Sequence, residues 1–321
     1  MSIFEAHGVR TAYETFGSGP PLLLLHGFEA DRSSFARLTT ELAAEFTTIV
    51  YDQRDCGETV SAATPYVLPD LANDAAAIIV GLGYERVHVF GSSFGGLVAQ
   101  LLAAEHPSLV ERLVLSSSLR VGTSLEDVNP SGAAILAEYR AEGDASFARL
   151  AEFFLTPEFV RKSPDAVDAL KHLIPNKSAE QRSRRWAAGQ SSVTVDLSRV
   201  VVPTMILVGN EDRLISLQLS RELANEMPNA SIHILGGVGH ASTFQAPERV
   251  AKALAGFLLP VVGSASTEPI VIGGLSHVAL CISSVETSRP FYEDVLGLKP
   301  FLAPTCRWKA FGTGLVTSKC T

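Results

Sequence analysis

The sequence predicts an α/β fold: a mostly parallel central sheet with helices on both faces, interrupted by an all-helical insertion. Two observations carry that expectation. Short, near-continuous apolar runs bounded by turns recur along the chain: "PLLLLH" (21–26), "FTTIVYD" (46–52), "RVHVFG" (86–91), "RLVLSSS" (112–118), "PTMILVG" (203–209) and "ASIHILGG" (230–237). Between them lie amphipathic or Ala-rich stretches, among them Leu71 to Leu82, Gly95 to Glu105 and Leu217 to Glu226. Strands apolar on both faces, alternating with helices, make a parallel sheet covered on both sides.

The N-terminal "GVRTAYETFG" (8–17) reads as a two-sided strand joining the sheet edge antiparallel. From Leu119 to Arg199 the strand signal stops. In "DASFARLAEFFLTPEFV", Phe147, Leu150, Ala151, Phe154 and Leu155 fall at i, i+3, i+4, i+7 and i+8, one face of a helix. Residues 120–198 therefore read as a helical cap, inserted into a core made of residues 1–119 and 199–260. "PVVGSASTEP" (260–269), small and polar with two prolines, marks a linker over 261–273, and 274–321 forms a separate small segment.

Composition narrows the partners. With 321 residues, 46% hydrophobic and 19% charged, the chain suits one large domain with an insertion or a small companion. A net charge of −8 and the lack of a large Lys/Arg block argue against nucleic acid. The densest basic stretch, "RSRRW" (182–186), reads as a solvated helix face. No apolar run nears the roughly 20 residues of a spanning helix, and "MSIFEAHGVR" lacks the order of a secretory signal. The expectation is a cytoplasmic chain with no membrane partner and reduced thiols, association with a second copy being left open. Its four cysteines (Cys56, Cys281, Cys306, Cys320) show no metal-type spacing, and neither a metal nor another cofactor is expected.

The chemistry concentrates in "VHVFGSSFGGLVAQ" (87–100), a strand, a tight Gly-x-Ser-x-Gly corner and a helix. A serine there takes a strained backbone so that its hydroxyl projects from the carboxyl edge of the sheet, and the flanking glycines avoid collisions with neighbouring elements. Ser93 has Gly91 and Gly95 at the required offsets, whereas Ser92 would have Phe90 and Phe94, so Ser93 is the candidate nucleophile. A Gly-rich turn with a serine is often only a turn, and the partners must decide. "LVGNEDRLIS" places Asp212 just past a strand end, and "GGVGHAS" places His240 past the next. Separately, a turn aspartate and a loop histidine are commonplace. Together they give the order Ser, Asp, His, in which the imidazole takes the serine proton and the carboxylate orients the imidazole. Glu211 neighbours Asp212 but would point elsewhere, and His106, before Pro107, reads as a helix end. Donors for a developing oxyanion are expected from the backbone N–H of Phe94 and of Phe28 in "LLLLHGFEA".

These residues, His26-Gly27-Phe28, Gly91 to Gly95, Asp212 and His240, resemble the α/β-hydrolase fold over roughly residues 8–259. "YDQRDCGET" (51–59) is similar to the Asp-x-Arg-Gly-x-Gly-x-Ser loop of its enol-lactonase, small-esterase and haloperoxidase branch, with Asp55 where glycine is usual and Thr59 for serine. The resemblance implies a serine hydrolase acting on a medium-sized, largely apolar ester or lactone, without a cofactor, beneath a cap where Phe153, Phe154, Phe159 and Trp186 are placed to line the pocket. It leaves two alternatives open: a C–C bond hydrolase acting on a ring-fission product of aromatic breakdown, and a non-catalytic ligand receptor. Separately, "LSHVALCISSVETSRPFYEDVLGLKPF" (275–301) resembles the opening strand and helix of the vicinal-oxygen-chelate family. That resemblance puts His277 at the family's first metal-ligand position. Too little chain follows to supply the other strands and ligands, so the segment reads as truncated.

Overall fold

The computed structural model describes residues 1–175, 177–259, 280–281, 309–311 and 315–317. They fall in two compact units, Met1–Val261 and Val262–Thr321. The first is built on an eight-stranded sheet: β1 (Ser2–Ala6), β2 (Val9–Gly17), β3 (Pro21–Leu25), β4 (Thr47–Tyr51), β5 (Val87–Ser92), β6 (Val110–Ser116), β7 (Thr204–Gly209) and β8 (Ala230–Leu235). The order across the sheet is β1-β2-β4-β3-β5-β6-β7-β8. The β1/β2 and β2/β4 pairs are antiparallel and all others parallel. The strand over 9–17 is thus second from the edge. β1, five residues of which Ser2, Ile3 and Glu5 are exposed, forms the edge itself and carries too little apolar pattern to announce a strand.

Continuous apolar strands have a direct structural consequence, because successive side chains point to opposite faces. Leu23, Leu25, Ile49, Val89, Leu113, Leu115 and Ile206 pack on one face with α2 (Leu68–Gly81), α3 (Phe94–Glu105) and α10 (Leu217–Asn225). Leu22, Leu24, Val50, Phe90, Val114, Met205 and Leu207 pack on the other with α1 (Ala36–Leu42) and α12 (Pro247–Leu258). Adjacent residues serve opposite cores.

Between β6 and β7 run six helices: α4 (Leu125–Val128), α5 (Pro130–Glu142), α6 (Phe147–Phe154), α7 (Pro157–Lys162), α8 (Ala166–His172) and α9 (Ala179–Gly189). Phe147, Leu150, Ala151 and Leu155, four residues of the predicted helix face, pack with Tyr139, Ala166 and Leu170 in a core of the cap's own, which Phe244 from α11 (Ser242–Gln245) completes. No helix among the described residues is long and apolar enough to cross a membrane.

In the second unit, β9 (Leu280–Cys281), β10 (Lys309–Phe311) and β11 (Leu315–Thr317) form an antiparallel sheet ordered β10-β11-β9. β9 falls within the expected opening strand. β10 and β11 lie in "CRWKAFGTGLVTSKCT", where no strand is expected from the sequence. The predicted linker 261–273, His277 and the predicted helix after β9 lie outside the described residues.

Candidate active site

The sheet's carboxyl edge gathers the site from three parallel strands. Ser93 stands between β5 and α3 with φ 52° and ψ −117°, a left-handed conformation unfavourable for a residue with a Cβ. Its N–H donates to Ser116 O at 2.8 Å, tying the corner to β6. The glycine requirement is literal. A Cβ on Gly91 would lie 2.5 Å from Gly95 O, and one on Gly95 would drive into the Leu25 carbonyl and come within 2.8 Å of His26 O.

His240, in the loop after β8, has Nε2 3.1 Å from Ser93 Oγ, and its Nδ1 lies 3.0 Å from Asp212 Oδ2. Asp212, in the turn after β7, is held from behind: its Oδ1 accepts the N–H groups of Leu214 (2.9 Å) and Ile215 (2.8 Å). These bonds fix the carboxylate so that Oδ2 makes the shorter contact with the imidazole, Nδ1 lying 3.2 Å from Oδ1 as well. Glu211 is exposed, and His106, at the end of α3, bonds Asn73 Oδ1 through Nε2 at 2.9 Å, away from the site.

Phe28 and Phe94 flank Ser93 with their rings edge to face at 5.4 Å. Among the described residues, neither backbone N–H has a protein acceptor; Phe94 is the first residue of α3, where N–H groups lack an intrahelical partner. The loop bearing Phe28 is braced by His26. Its Nδ1 donates to Gly27 O at 2.8 Å, while Nε2 accepts the Gln53 N–H at 3.1 Å. Both bonds fit a neutral ring, and burial, reinforced by the nearby Arg185 guanidinium, holds the His26 pKa well below its usual value.

The loop over 52–59 is a brace as well. Buried Asp52 pairs with the Arg32 guanidinium and accepts the N–H of Arg32 (2.9 Å) and of Glu58 (2.8 Å). Thr59 Oγ1 donates to Asp52 O and accepts from Ala12 N, so a threonine performs there what a serine hydroxyl would. Asp55 keeps the left-handed backbone, φ 59°, that suits glycine. Its carboxylate receives two bonds from Arg184 on α9, at 3.0 and 2.6 Å.

That contact corrects the reading of "RSRRW" as a solvated face. Arg184 pairs with Asp55, and Arg185 is completely buried. Arg185 Nε donates to Phe28 O (3.0 Å) and Nη2 to Gly27 O (3.2 Å) and Gln53 Oε1 (3.1 Å), with the guanidinium 4.3 Å over the Phe94 ring. The sequence held a faint signal. Arg185 shares its helix face with Ala188 and Gly189, small residues that mark close packing, and Ser178-x-x-Gln181 caps the helix at its start.

A cavity of about 210 Å³ opens over Ser93, lined by apolar side chains from core and cap. Phe154 and Trp186 line it, the Phe154 ring lying 5.0 Å from that of His240. Phe153 does not line it; it packs beneath Arg213, and Phe159 lies against Phe244 instead. Successive residues on a helix point about 100° apart, so only one of the two phenylalanines faces Ser93. Two charged residues interrupt the apolar wall. Arg140 stacks 3.8 Å over Trp186 and has its pKa lowered by burial, and Glu29 lies 3.9 Å from the buried Lys177 ammonium.

An α/β sheet with a tight Gly-x-Ser-x-Gly corner between strand and helix, beneath a helical insertion, defines a class. Residues 20–247 match the family model described as alpha/beta hydrolase fold, and the chain belongs to that family. Relatives include a protein provisionally named carbamate hydrolase RutD from Caulobacter sp. (strain K31), 27% identical over 244 residues, 74% of this chain and 90% of that protein. The 2-hydroxymuconate semialdehyde hydrolase of Pseudomonas sp. (strain CF600) is 27% identical over 267 residues, 79% of this chain and 92% of that one. Among solved structures, Est816, described as an N-acyl homoserine lactone degrading enzyme, matches with a TM-score of 0.70 at 26% identity, covering 80% of this chain and all of Est816.

Proposed function

We propose that the protein is a serine hydrolase cleaving a carboxylic ester or lactone through an acyl-enzyme, with Ser93, His240 and Asp212 as its catalytic residues. The observation that carries this reading is the continuous chain from Ser93 Oγ through the imidazole to Asp212 Oδ2, at 3.1 and 3.0 Å. Ser93 Oγ attacks the carbonyl carbon as His240 Nε2 takes its proton. The Phe28 and Phe94 N–H groups receive the oxyanion. As the tetrahedral intermediate collapses, the imidazolium returns the proton to the leaving alkoxide. Water then attacks the acyl-enzyme, with the same imidazole as base, and releases the acid and Ser93.

The apolar cavity suits a small to medium acyl or lactone group, with Phe154 and Trp186 as substrate contacts, and Glu29 and Arg140 offer polar contact to a substituent. The lactone-degrading Est816 supports the substrate class. The semialdehyde hydrolase among the relatives favours a second reading, C–C bond hydrolysis. Labelling with a fluorophosphonate, followed by peptide mapping, tests the first step: the tag is expected on Ser93. Comparing kcat/KM for p-nitrophenyl esters, simple lactones and a dienol ring-fission product separates the readings, and a thousandfold preference for the dienol would displace the ester or lactone assignment.

A further inference from the structure

We propose that Arg185 is a positioning residue for the oxyanion site, so that the cap sets catalytic geometry as well as roofing the pocket. The proposal rests on the hydrolase reading and goes beyond it. Arg185 belongs to α9 of the cap, yet two of its bonds end on the consecutive carbonyls of Gly27 and Phe28, in the β3 loop. A peptide unit is planar with its C=O and N–H pointing in opposite directions. The unit joining Gly27 to Phe28 contains Gly27 O and Phe28 N–H. Pulling Gly27 O toward Arg185 therefore aims the Phe28 N–H the other way, at the cavity that Phe28 and Ser93 both line.

The same guanidinium covers the Phe94 ring at 4.3 Å, and Phe94 carries the second donor. One buried side chain thus touches both halves of the oxyanion site. His26 Nδ1 donates to the same Gly27 carbonyl, and Gln53 links the two by donating to His26 O while accepting from Arg185. No carboxylate among the described residues lies within 4.0 Å of the guanidinium; it is held by neutral acceptors. Its charge is left to favour negative charge developing nearby, at the step where preorganised donors matter most. The adjacent Trp186 lines the cavity and meets the Phe28 ring at 5.9 Å, so α9 presents its substrate contact and its grip on the loop side by side.

The test compares wild type, Arg185→Lys and Arg185→Met in kcat, KM and the inhibition constant of an aryl trifluoromethyl ketone, which adds to the serine and places an oxyanion in the site. The expected result for Arg185→Met is a fall in kcat of about 10²–10³, the scale of losing one oxyanion donor, with KM little changed. Ketone affinity should fall by a similar factor, and Arg185→Lys should be intermediate because charge persists without the planar fork. A purely structural role would lower thermal stability and leave ketone affinity intact, and that result in either folded variant overturns the proposal. If Arg185→Met fails to fold, Arg185→Lys alone decides on the same readout. Wild-type protein that is neither labelled at Ser93 nor inhibited by the ketone would overturn the hydrolase reading, and this proposal with it.

Discussion

Arg184 clamps Asp55 with two hydrogen bonds, at 3.0 and 2.6 Å, at a residue whose backbone lies at φ 59°. The aspartate accepts a strained conformation, and the ion pair joins the cap to the loop that braces the sheet edge. Strain and pairing can be separated by substitution. Asp55→Gly loses the pair but relieves the backbone, whereas Asp55→Ala loses the pair and keeps the strain. Asp55→Ala should therefore be less stable than Asp55→Gly by about 1 kcal/mol, read from urea unfolding midpoints. Equal stabilities would show that the left-handed backbone costs nothing here.

The two serines of the elbow make opposite predictions. Ser93→Ala should lose about 10⁴–10⁶ in kcat while keeping its fold. Ser92→Ala should retain most activity. A dead Ser92→Ala beside an active Ser93→Ala would reverse the assignment.

Asp212→Asn probes the imidazole's tautomer. The amide oxygen can still accept from Leu214 and Ile215, which turns the NH₂ group toward His240 Nδ1. Nδ1 must then accept, the proton moves to Nε2, and the base facing Ser93 is blocked. A loss of about 10⁴ in kcat with an unchanged melting temperature is expected. Activity near wild type would remove Asp212 from the mechanism.

Buried His26 makes stability depend on pH. Its folded pKa is depressed, so below the ordinary value of about 6.5 the unfolded chain takes up a proton that the folded one refuses. Its contribution to stability is complete above that value and is lost as pH falls toward the folded pKa, with a slope of at most about 1.4 kcal/mol per pH unit. His88, also lowered by burial, acts in the same direction. Urea titrations from about pH 7.5 down to 5 should show the decline, and His26→Gln should flatten it. An equally steep profile in that variant would assign the dependence elsewhere.

Every residue placed in the candidate site lies within Met1–Val261. Truncation after Gly263 should leave a folded, active protein, and chelation with EDTA should leave its rate unchanged. A marked fall in melting temperature on truncation, or a metal-dependent rate, would make the C-terminal segment a working part of the protein.

Much of the site could be read in the sequence because its constraints are local. The elbow needs Gly91 and Gly95 at fixed offsets, and Asp212 and His240 each follow a recognisable strand. Arg185 could not be read this way. Its partners lie more than 130 residues away in the chain, and a basic run on a helix looks solvated until something closes over it. β1 is illegible for a different reason: five residues, none fully buried and with exposure on both faces, leave hardly any pattern. Helix phase puts Phe154, and not Phe153, on the face shared with Leu150 and Ala151, but that pattern does not say whether the face meets the cavity, which depends on how the cap packs over Ser93.

Phe154 meets the histidine loop twice, and the two contacts differ in kind. Its ring approaches His240, but its carbonyl accepts the Ala241 N–H at 3.0 Å. The second contact is main chain and survives any side chain at position 154. The tether that holds cap and histidine loop in register is thus uncoupled from the group that shapes the cavity wall. On the proposed hydrolase reading, substitutions at position 154 resize that wall while this main-chain bond still ties the cap to the loop of the proposed base. Position 154 is therefore where a changed acyl preference is expected to cost the chemistry least.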